Sequence, residues 1–426
     1  MIHLIFKNLW AHRGRNGWLL TEIIIISFIM WLNIDPIIVT FHDQSLPNGI
    51  TQEGLYRVTL SSWLPTTNNY KAEEDSAEAK IKSMRTLIAT LRNHKDVASA
   101  TMMFNGLGPF CQSSSTTIIE EDSANVYNYW FMYFEPQSDF FRTIGFDEVE
   151  GQTNEQLDQL TFANKEIIMT LHPKSTTPSI GYNFKETKTD SIKYIAKGSI
   201  GRLIMRAGMQ PSNVLLMPIA LDAANIPEDV VILLRKKSNV DERRFVEDLR
   251  EWSNNNLRIG NLYVQNISSY RDLIEENAEE NAVNYTYRVN LILGSFFLIN
   301  LCLGVFGTFW IQTRSRREEI GVLKSFGGSS LSILRLFLGE GLMLTTMGTL
   351  IGCIIYLQFA LKEGLYTNMW DSADQLLPYW INNFTMHFIG VSAIIWIILL
   401  IIVSIGIYVP ARSISRIPPT DALRDE

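Results

Sequence analysis

The densest group of residues able to do chemistry lies in residues 313–330, TRSRREEIGVLKSFGGSS. Arg317, Glu319 and Lys324, with Ile320, Gly321, Leu323 and Gly327 among them, can form ion pairs and a docking surface. They contain no nucleophile paired with a base and no metal-ligand spacing. Arg314 with Glu318 stands at i,i+4 and Arg316 with Glu319 at i,i+3, spacings that support a helix in water. Ile320, Leu323 and Phe326 recur at threes and predict one apolar face. Gly327-Gly328 fits a left-handed helix cap, and Ser329-Ser330 supplies an N-cap for a following helix. Two readings are open. One is a positive-inside loop with a capped turn, its long side chains snorkelling to water. The other is a docking knob that keeps an apolar face for a soluble partner.

Elsewhere no catalytic constellation occurs. The six histidines are scattered, without H-E-x-x-H. Cys111, Cys302 and Cys353 lack metal-ligand spacing; two of them lie in apolar runs, so no intrachain disulfide framework is expected. There is no G-x-x-x-x-G-K-[ST], hence no phosphate-cradling loop, and the chain is expected to bind no cofactor and to be no enzyme. A net charge of -7 argues against a nucleic-acid partner, which would need a basic surface.

The elements that must position the charged segment are apolar runs. Residues 1–17 set Ile2, Ile5, Phe6 and Leu9 against Lys7, Arg13 and Arg15, the pattern of an interfacial helix. Residues 18–41 are a first span, marked by Asp35-Pro36, with Glu22 one turn inside and expected to reach headgroups or pair with Arg13 or Arg15. Residues 289–311, 336–360 and 388–409 are three more spans, each long enough at 1.5 Å per residue for a hydrocarbon core of about 30 Å. Glu340 near the inner end of the third is expected to pair with a basic neighbour such as Arg335. Gly348 and Gly352 give that span the small-xxx-small spacing that lets helices approach closely, within the chain or in a dimer. The charged stretch thus sits in residues 312–335, tied at both ends to spans.

Orientation follows from the short segments. Lys7, Arg13 and Arg15 precede the first span without an acid, and residues 312–335 carry a basic excess. Residues 361–387 hold only Lys362 against Glu363, Asp371 and Asp374. The positive-inside rule then places both termini and the 410–426 tail in the cytoplasm, with the large insertion, residues 42–288, outside.

Within the insertion two βαβ patterns flank a less legible middle. The first is a strand over 55–60, a helix with Ala77, Ile81, Met84, Ile88 and Leu91 on one face, and a strand over 97–104. The second is VVILLR at 230–235, a helix with Phe245, Leu249 and Trp252, and LYVQNI at 262–267. Together they predict a small α+β core with an insert over 105–225, where FFRTIGF occupies 140–146. Residues 272–287 are acidic, lack Pro and Gly, and predict a helix running unbroken into the second span. Such a helix is either a stalk that transmits motion or a solvated juxtamembrane segment.

REEIGVLKSFGGSS resembles the R-x-x-E-I-G-x-L-K-A-x-G-A-S segment of the FtsX-like permeases, most closely the MacB-like ones. These are membrane subunits of ABC transporters of the mechanotransmission type. The matching residues are Arg317, Glu319, Ile320, Gly321, Leu323, Lys324, Gly327 and Ser329, while Phe326 and Gly328 depart from the pattern. The tail is similar to the family's P-A-x-x-A-x-x-x-P-x-x-A-L-R ending through Pro410, Ala411, Pro419, Ala422, Leu423 and Arg424. Phe140, Phe141, Gly145 and Gly151 resemble a phrase of the MacB-like outer domain, with Gln152 where Arg is usual, and residues 164–171 resemble the strand that follows it.

The resemblance implies a membrane α-helical fold of four transmembrane helices, with a large α+β extracytoplasmic domain between helices 1 and 2. It implies that residues 312–335 couple to a separate ABC ATPase subunit, which binds the ATP and Mg, since the first span begins too early to leave room for a fused one. A second permease subunit, copy or paralogue, membrane lipid and a periplasmic adaptor are the further partners it brings. The implied setting is the bacterial inner membrane, and the implied task is export or extraction of a drug, peptide, lipid or lipoprotein. A signalling subunit that regulates a cell-envelope partner such as a cell-wall hydrolase is the alternative; a membrane-tethered binding protein without an ATPase is a third.

Overall fold

The computed structural model describes residues 13–104, 108–111, 116–122, 125–171, 177–185, 194–222, 230–367 and 377–416. Most of the expected interfacial helix and the part of the tail motif beyond Arg416 lie outside these residues. In chain order the elements begin with α1 (Arg13–Gln44), β1 (Leu55–Ser62), α2 (Ala77–Arg92), β2 (Val97–Phe104), β3 (Thr116–Asp122) and β4 (Asn125–Phe134). Next come α3 (Phe140–Ile144), α4 (Asn154–Asp158), β5 (Glu166–Thr170), β6 (Asn183–Phe184), β7 (Tyr194–Ile200) and β8 (Val214–Pro218). The chain continues with β9 (Val230–Lys236), α5 (Glu242–Asn256), β10 (Leu262–Ser269) and α6 (Tyr270–Glu280). It closes with α7 (Val283–Ser315), α8 (Arg317–Ser325), α9 (Ser330–Glu363) and α10 (Phe384–Ser415). Two compact units result. One comprises residues 1–42, 284–367 and 379–426, the other 43–283 and 368–378.

The second unit is the α+β domain. Its four-stranded sheet runs β10-β1-β9-β2 with every neighbouring pair antiparallel. The two βαβ patterns therefore interleave as a split βαβ, the ferredoxin-like arrangement. β9 is apolar along most of its length because both faces are covered. Ile232 and Leu234 join Met84, Leu87 and Leu91 of α2 and Phe245 and Leu249 of α5 in one cluster. Leu233 points the other way, into a cluster with Phe140, Phe141, Ile144 and Phe146. The stretch between β2 and β9 builds a six-stranded mixed sheet, β3-β4-β8-β5-β7-β6, whose β4–β8 and β5–β7 pairs are parallel.

Arg235, near the end of β9, locks the aromatic turn to this sheet. Its guanidinium donates to the carbonyls of Thr143, Glu53, Thr51 and Ile144 at 2.7–2.8 Å. Burial lowers its pKa, yet four charge-assisted hydrogen bonds keep it satisfied. Gly145 caps α3 with φ 65, and a Cβ there would lie 3.0 Å from the Arg235 side chain, so the turn requires glycine. FFRTIGF is thus a structural corner.

The helix expected to run unbroken from residue 272 into the second span is two helices. α6 ends at Glu280, and Ala282 takes φ 56 before α7 begins. Asn281 Nδ2 donates back to the Asn277 carbonyl at 2.7 Å and to Asn277 Oδ1 at 3.0 Å. Asn277 Oδ1 also accepts from the amide of Ala207 at 2.9 Å. Side-chain amides that compete with the backbone end the helix here without Pro or Gly.

Among the described residues, the first unit holds four helices long and apolar enough to cross a membrane. Pro36 is accommodated inside α1, which continues to Gln44. α10 sends Val391, Ile395, Leu399, Val403 and Ile407 into the shared core beside Leu19, Ile23 and Met30 of α1 and Val305 and Phe309 of α7. Gly348 and Gly352 face α1: added Cβ atoms would lie 2.7 Å from Ile23 Cγ2 and 2.7 Å from Ser27 Cβ. The small residues serve a close helix approach within one chain. Glu22 lies against α7, where a Cβ on Gly304 would meet its Oε1 at 2.3 Å.

One carboxyl in the α+β domain carries a pH signature. Asp158 accepts from the amides of Phe141 at 2.8 Å and Arg142 at 3.3 Å, capping α3, and desolvation raises its pKa to about 6. A folded-state pKa above the unfolded one contributes stability at low pH that is lost as pH rises through the folded value. Relative to Asp158→Asn, which keeps the acceptor oxygen, wild type should lose melting temperature between about pH 4 and 6. Melting curves of the full chain in detergent that shift in parallel with pH would refute this.

Candidate functional site: the charged helix between two spans

α7 ends at Ser315, Arg316 takes φ -104 and ψ 17, and α8 starts at Arg317. This break decides which charges can meet. Arg314 and Glu318 fall on different helices, so the i,i+4 pair expected of them has no shared helix to form on. Arg314 instead lies over the Trp310 ring at 5.6 Å. Arg316 is buried and faces two carboxylates. Its Nε donates to Glu319 at 2.9 Å and its Nη1 to Glu340 on α9 at 2.7 Å, while its guanidinium carbon stands 4.9 Å from the centre of the Phe337 ring. Glu340 therefore pairs with Arg316, in place of the expected Arg335. Five residues along a helix of 3.6 per turn put Arg335 and Glu340 on different sides of α9. Beside this knot Gln312 Nε2 donates to Asn16 Oδ1 at 3.2 Å, joining α7 to α1.

The apolar stripe read from the threes is split. Ile320 is 3% exposed and packs into the span core, and Gly321 is buried with it. Leu323 is 42% exposed, Val322 46% and Phe326 87%. Gly327 takes φ 88; its amide donates to the Lys324 carbonyl at 3.0 Å and that of Gly328 to Leu323 at 2.9 Å, a Schellman closure. Ser329 Oγ then caps α9 by accepting from the Ser332 amide at 3.2 Å. Of the expected coupling residues, the fold fixes Ile320 and Gly321 inward, engages Glu319 in an ion pair and uses Gly327 as the cap. Arg317, Leu323 and Lys324 remain on the water side or partly so. Sequence reading paired Arg316 with Glu319, as the structure does, but passed over its contact with Glu340. A buried acid at Glu340, needing a cation, was the signal for it.

At the opposite end of the same unit a second polar knot lies outside every sequence expectation. His387 Nε2 and Asp35 Oδ1 are 2.6 Å apart, each side chain 1% exposed, and Asp35 Oδ2 accepts from the Tyr366 amide at 3.2 Å. Trp31 stacks on Tyr356 at 4.4 Å and on Phe388 at 5.1 Å close by. Among the described residues no group of three or more His, Cys, Asp or Glu could hold a metal ion.

Breaking the inner knot should be costly. Arg316→Leu alone strands Glu340 in an apolar setting and should destabilise the membrane unit by about 3–5 kcal/mol. Arg316→Leu with Glu340→Leu should recover most of that loss, because an apolar pair replaces a desolvated ionic one. Thermal unfolding in detergent of the two single variants and the double variant checks it; additive losses would refute the coupling.

The FtsX-like permease C-terminal family matches residues 291–419, which contain α8 and the three spans around it. The ABC transporter permease YtrF of Bacillus subtilis (strain 168) is 28% identical over 152 residues, 34% of this chain and 34% of that protein. The match thus spans about a third of the relative's length. A crystallised domain of a permease protein from Porphyromonas gingivalis is similar at 14% identity and TM-score 0.32, over 51% of this chain and 91% of that one. The periplasmic region of MacB from Actinobacillus actinomycetemcomitans is similar at 13% identity and TM-score 0.32, over 54% of this chain and 94% of that one. Residues 291–419, with the charged helix held between spans inside them, are thus similar to the C-terminal part of the FtsX-like permeases.

Proposed function

We propose that this chain is the permease subunit of an ABC transporter whose ATPase resides on separate chains that bind the ATP and Mg. The observation that carries the reading is α8. It is a short helix fastened at its base by the Arg316–Glu340 pair, yet it presents Val322, Leu323 and Phe326 to water. Scattered exposed apolar side chains are ordinary, but two on one nine-residue helix and a third at its C-cap form a patch that a partner would cover. The kinship with YtrF, named an ABC transporter permease, supports the same reading.

In this proposal two such permeases, copies or paralogues, sit in the bacterial inner membrane with both termini in the cytoplasm. An ATPase binds each α8. Closure of the ATPases on ATP pushes α8, and because Arg316 joins α7, α8 and α9, the push reaches two spans at once. Coupling of this kind is a free energy shared between distant sites through an element with two arrangements. The extracytoplasmic domain then takes part in export or extraction of a drug, peptide, lipid or lipoprotein, with a periplasmic adaptor as a further partner.

The test is co-purification from the native membrane in mild detergent. Wild type should bring an ATPase subunit with it; Leu323→Glu and Phe326→Glu should each lose it by about tenfold or more, as expected when a charge is buried at an interface core. Lys362→Glu, at the other end of α9, should keep it. Absence of an ATPase from every sample would overturn the proposal.

A further inference from the structure

A cavity of about 350 Å³ lies between α9 and α10, a volume in the range of small-ligand pockets. Leu350, Ile389 and Trp396, all exposed, stand at its mouth. The buried Thr349 and Cys353, with the half-buried Phe388 and Ser392, form its inner wall. Among the described residues its lining is uncharged. Most of its polar groups are engaged: Trp396 Nε1 donates to Thr346 Oγ1 at 3.2 Å, and Cys353 Sγ accepts from Trp31 Nε1 at 3.4 Å. Two are not. The hydroxyl oxygens of Thr349 and Ser392 are buried without a hydrogen-bond partner. A serine or threonine in a helix has a local acceptor in the carbonyl four residues back, and Thr345, Thr346 and Ser404 use it at 2.6–2.9 Å. Thr349 and Ser392, with the same acceptor available, do not.

We propose that this cavity binds an uncharged, membrane-dissolved molecule with an apolar body and one hydroxyl group, of the class of long-chain alcohols. The apolar lining takes the body. The two orphan hydroxyls take the head, since a hydroxyl both donates and accepts. Hydrocarbon offers them no such group, and a buried hydroxyl left unpaired costs stability. Depth separates this ligand from a phospholipid headgroup. Thr349 lies nine residues after Glu340 and fourteen before Glu363. At 1.5 Å per residue it is therefore about 13 Å or more from either charged end of the span, near the middle of a hydrocarbon core of about 30 Å. A charged head at that depth would be desolvated beside a lining that offers it no counter-charge. Phe388 of the inner wall follows His387 in the chain and stacks on Trp31 at 5.1 Å, so a seated ligand would bear on the His387–Asp35 contact. The inference requires only that the four helices cross a bilayer and is independent of any ATPase.

The experiment uses the full chain in mild detergent, photolabelled with a hexadecanol that carries a mid-chain diazirine, with adducts mapped by mass spectrometry. Wild type should be labelled on the α9–α10 lining, and unlabelled hexadecanol should compete about tenfold better than hexadecane, the gain expected of a buried hydrogen bond. In Thr349→Val/Ser392→Ala that preference should vanish while the melting temperature stays at or above that of wild type, because the hydroxyls removed have no partner to lose. Ala393→Phe, which puts a ring into the cavity from its lining, should abolish labelling. Equal competition by hexadecane and hexadecanol in wild type would overturn the inference, by assigning the cavity to acyl chains. Undiminished labelling of Ala393→Phe, or an unchanged preference for the alcohol in the double variant, would overturn it as well. Should Ala393→Phe fail to fold, the double variant decides.

Discussion

A charge inside an apolar helical unit must find its partner in the chain, because hydrocarbon offers it no hydrogen bond. Among the described residues, Arg316 with Glu340 at one end and Asp35 with His387 at the other meet that constraint. Between them apolar packing dominates, with a few hydrogen bonds such as Ser27 Oγ to the Thr349 carbonyl at 3.4 Å and Trp396 Nε1 to Thr346 Oγ1 at 3.2 Å. The α10 stripe from Val391 to Ile407 repeats every fourth residue, so a shift of α10 by one turn would preserve most of its contacts. It would not preserve the 2.6 Å contact of His387 with Asp35, nor the Tyr366 amide on the same carboxylate. The apolar residues thus assemble the unit, and the polar knots choose its register.

The four spans were legible because hydropathy acts on long windows, where single residues matter little. The first span was read through Asp35-Pro36, and Pro36 does sit within α1. The pairing of Glu340 was illegible for a geometric reason. Nearness in sequence pointed to Arg335, but the partner comes from across a helix break at Arg316, which resets the angular phase between α7 and α8. The stripe of threes failed for another reason: on a helix of 3.6 residues per turn Ile320 and Phe326 stand about 120° apart, and Ile320 turns inward while Phe326 turns outward. Periodicity can be read along a helix but not across the point where one ends.

In the α+β domain the outer βαβ pairs were legible, since α2 and α5 each have one apolar face and β9 reads as a covered strand. The middle was not. Its sheet pairs β4 with β8 and β5 with β7, strands separated by long connections and running parallel, so no local turn announces the partner. Several turns there also use positive φ at residues that carry side chains, Gln137 and Lys165 among them, where the usual Gly or Asn signal is missing. The break at Ala282 belongs to the same class: its cause is Asn277 and Asn281, whose side chains act on backbone groups only once the loop around Ala207 is in place.

The split stripe on α8 also bears on the two readings left open by its sequence. A loop that merely holds its charges at the headgroups accounts for exposed arginines, whose stems can lie on apolar surface. It does not account for Phe326, whose ring gains nothing from water, at the last position before a Schellman turn that fixes its direction. Burying such a side chain is worth roughly 1.5–3 kcal/mol. Leaving it exposed forgoes that gain unless a partner supplies the cover. With the buried Arg316 preventing α8 from rolling inward to cover it, the patch is held available, which is the physical condition a docking element has to meet.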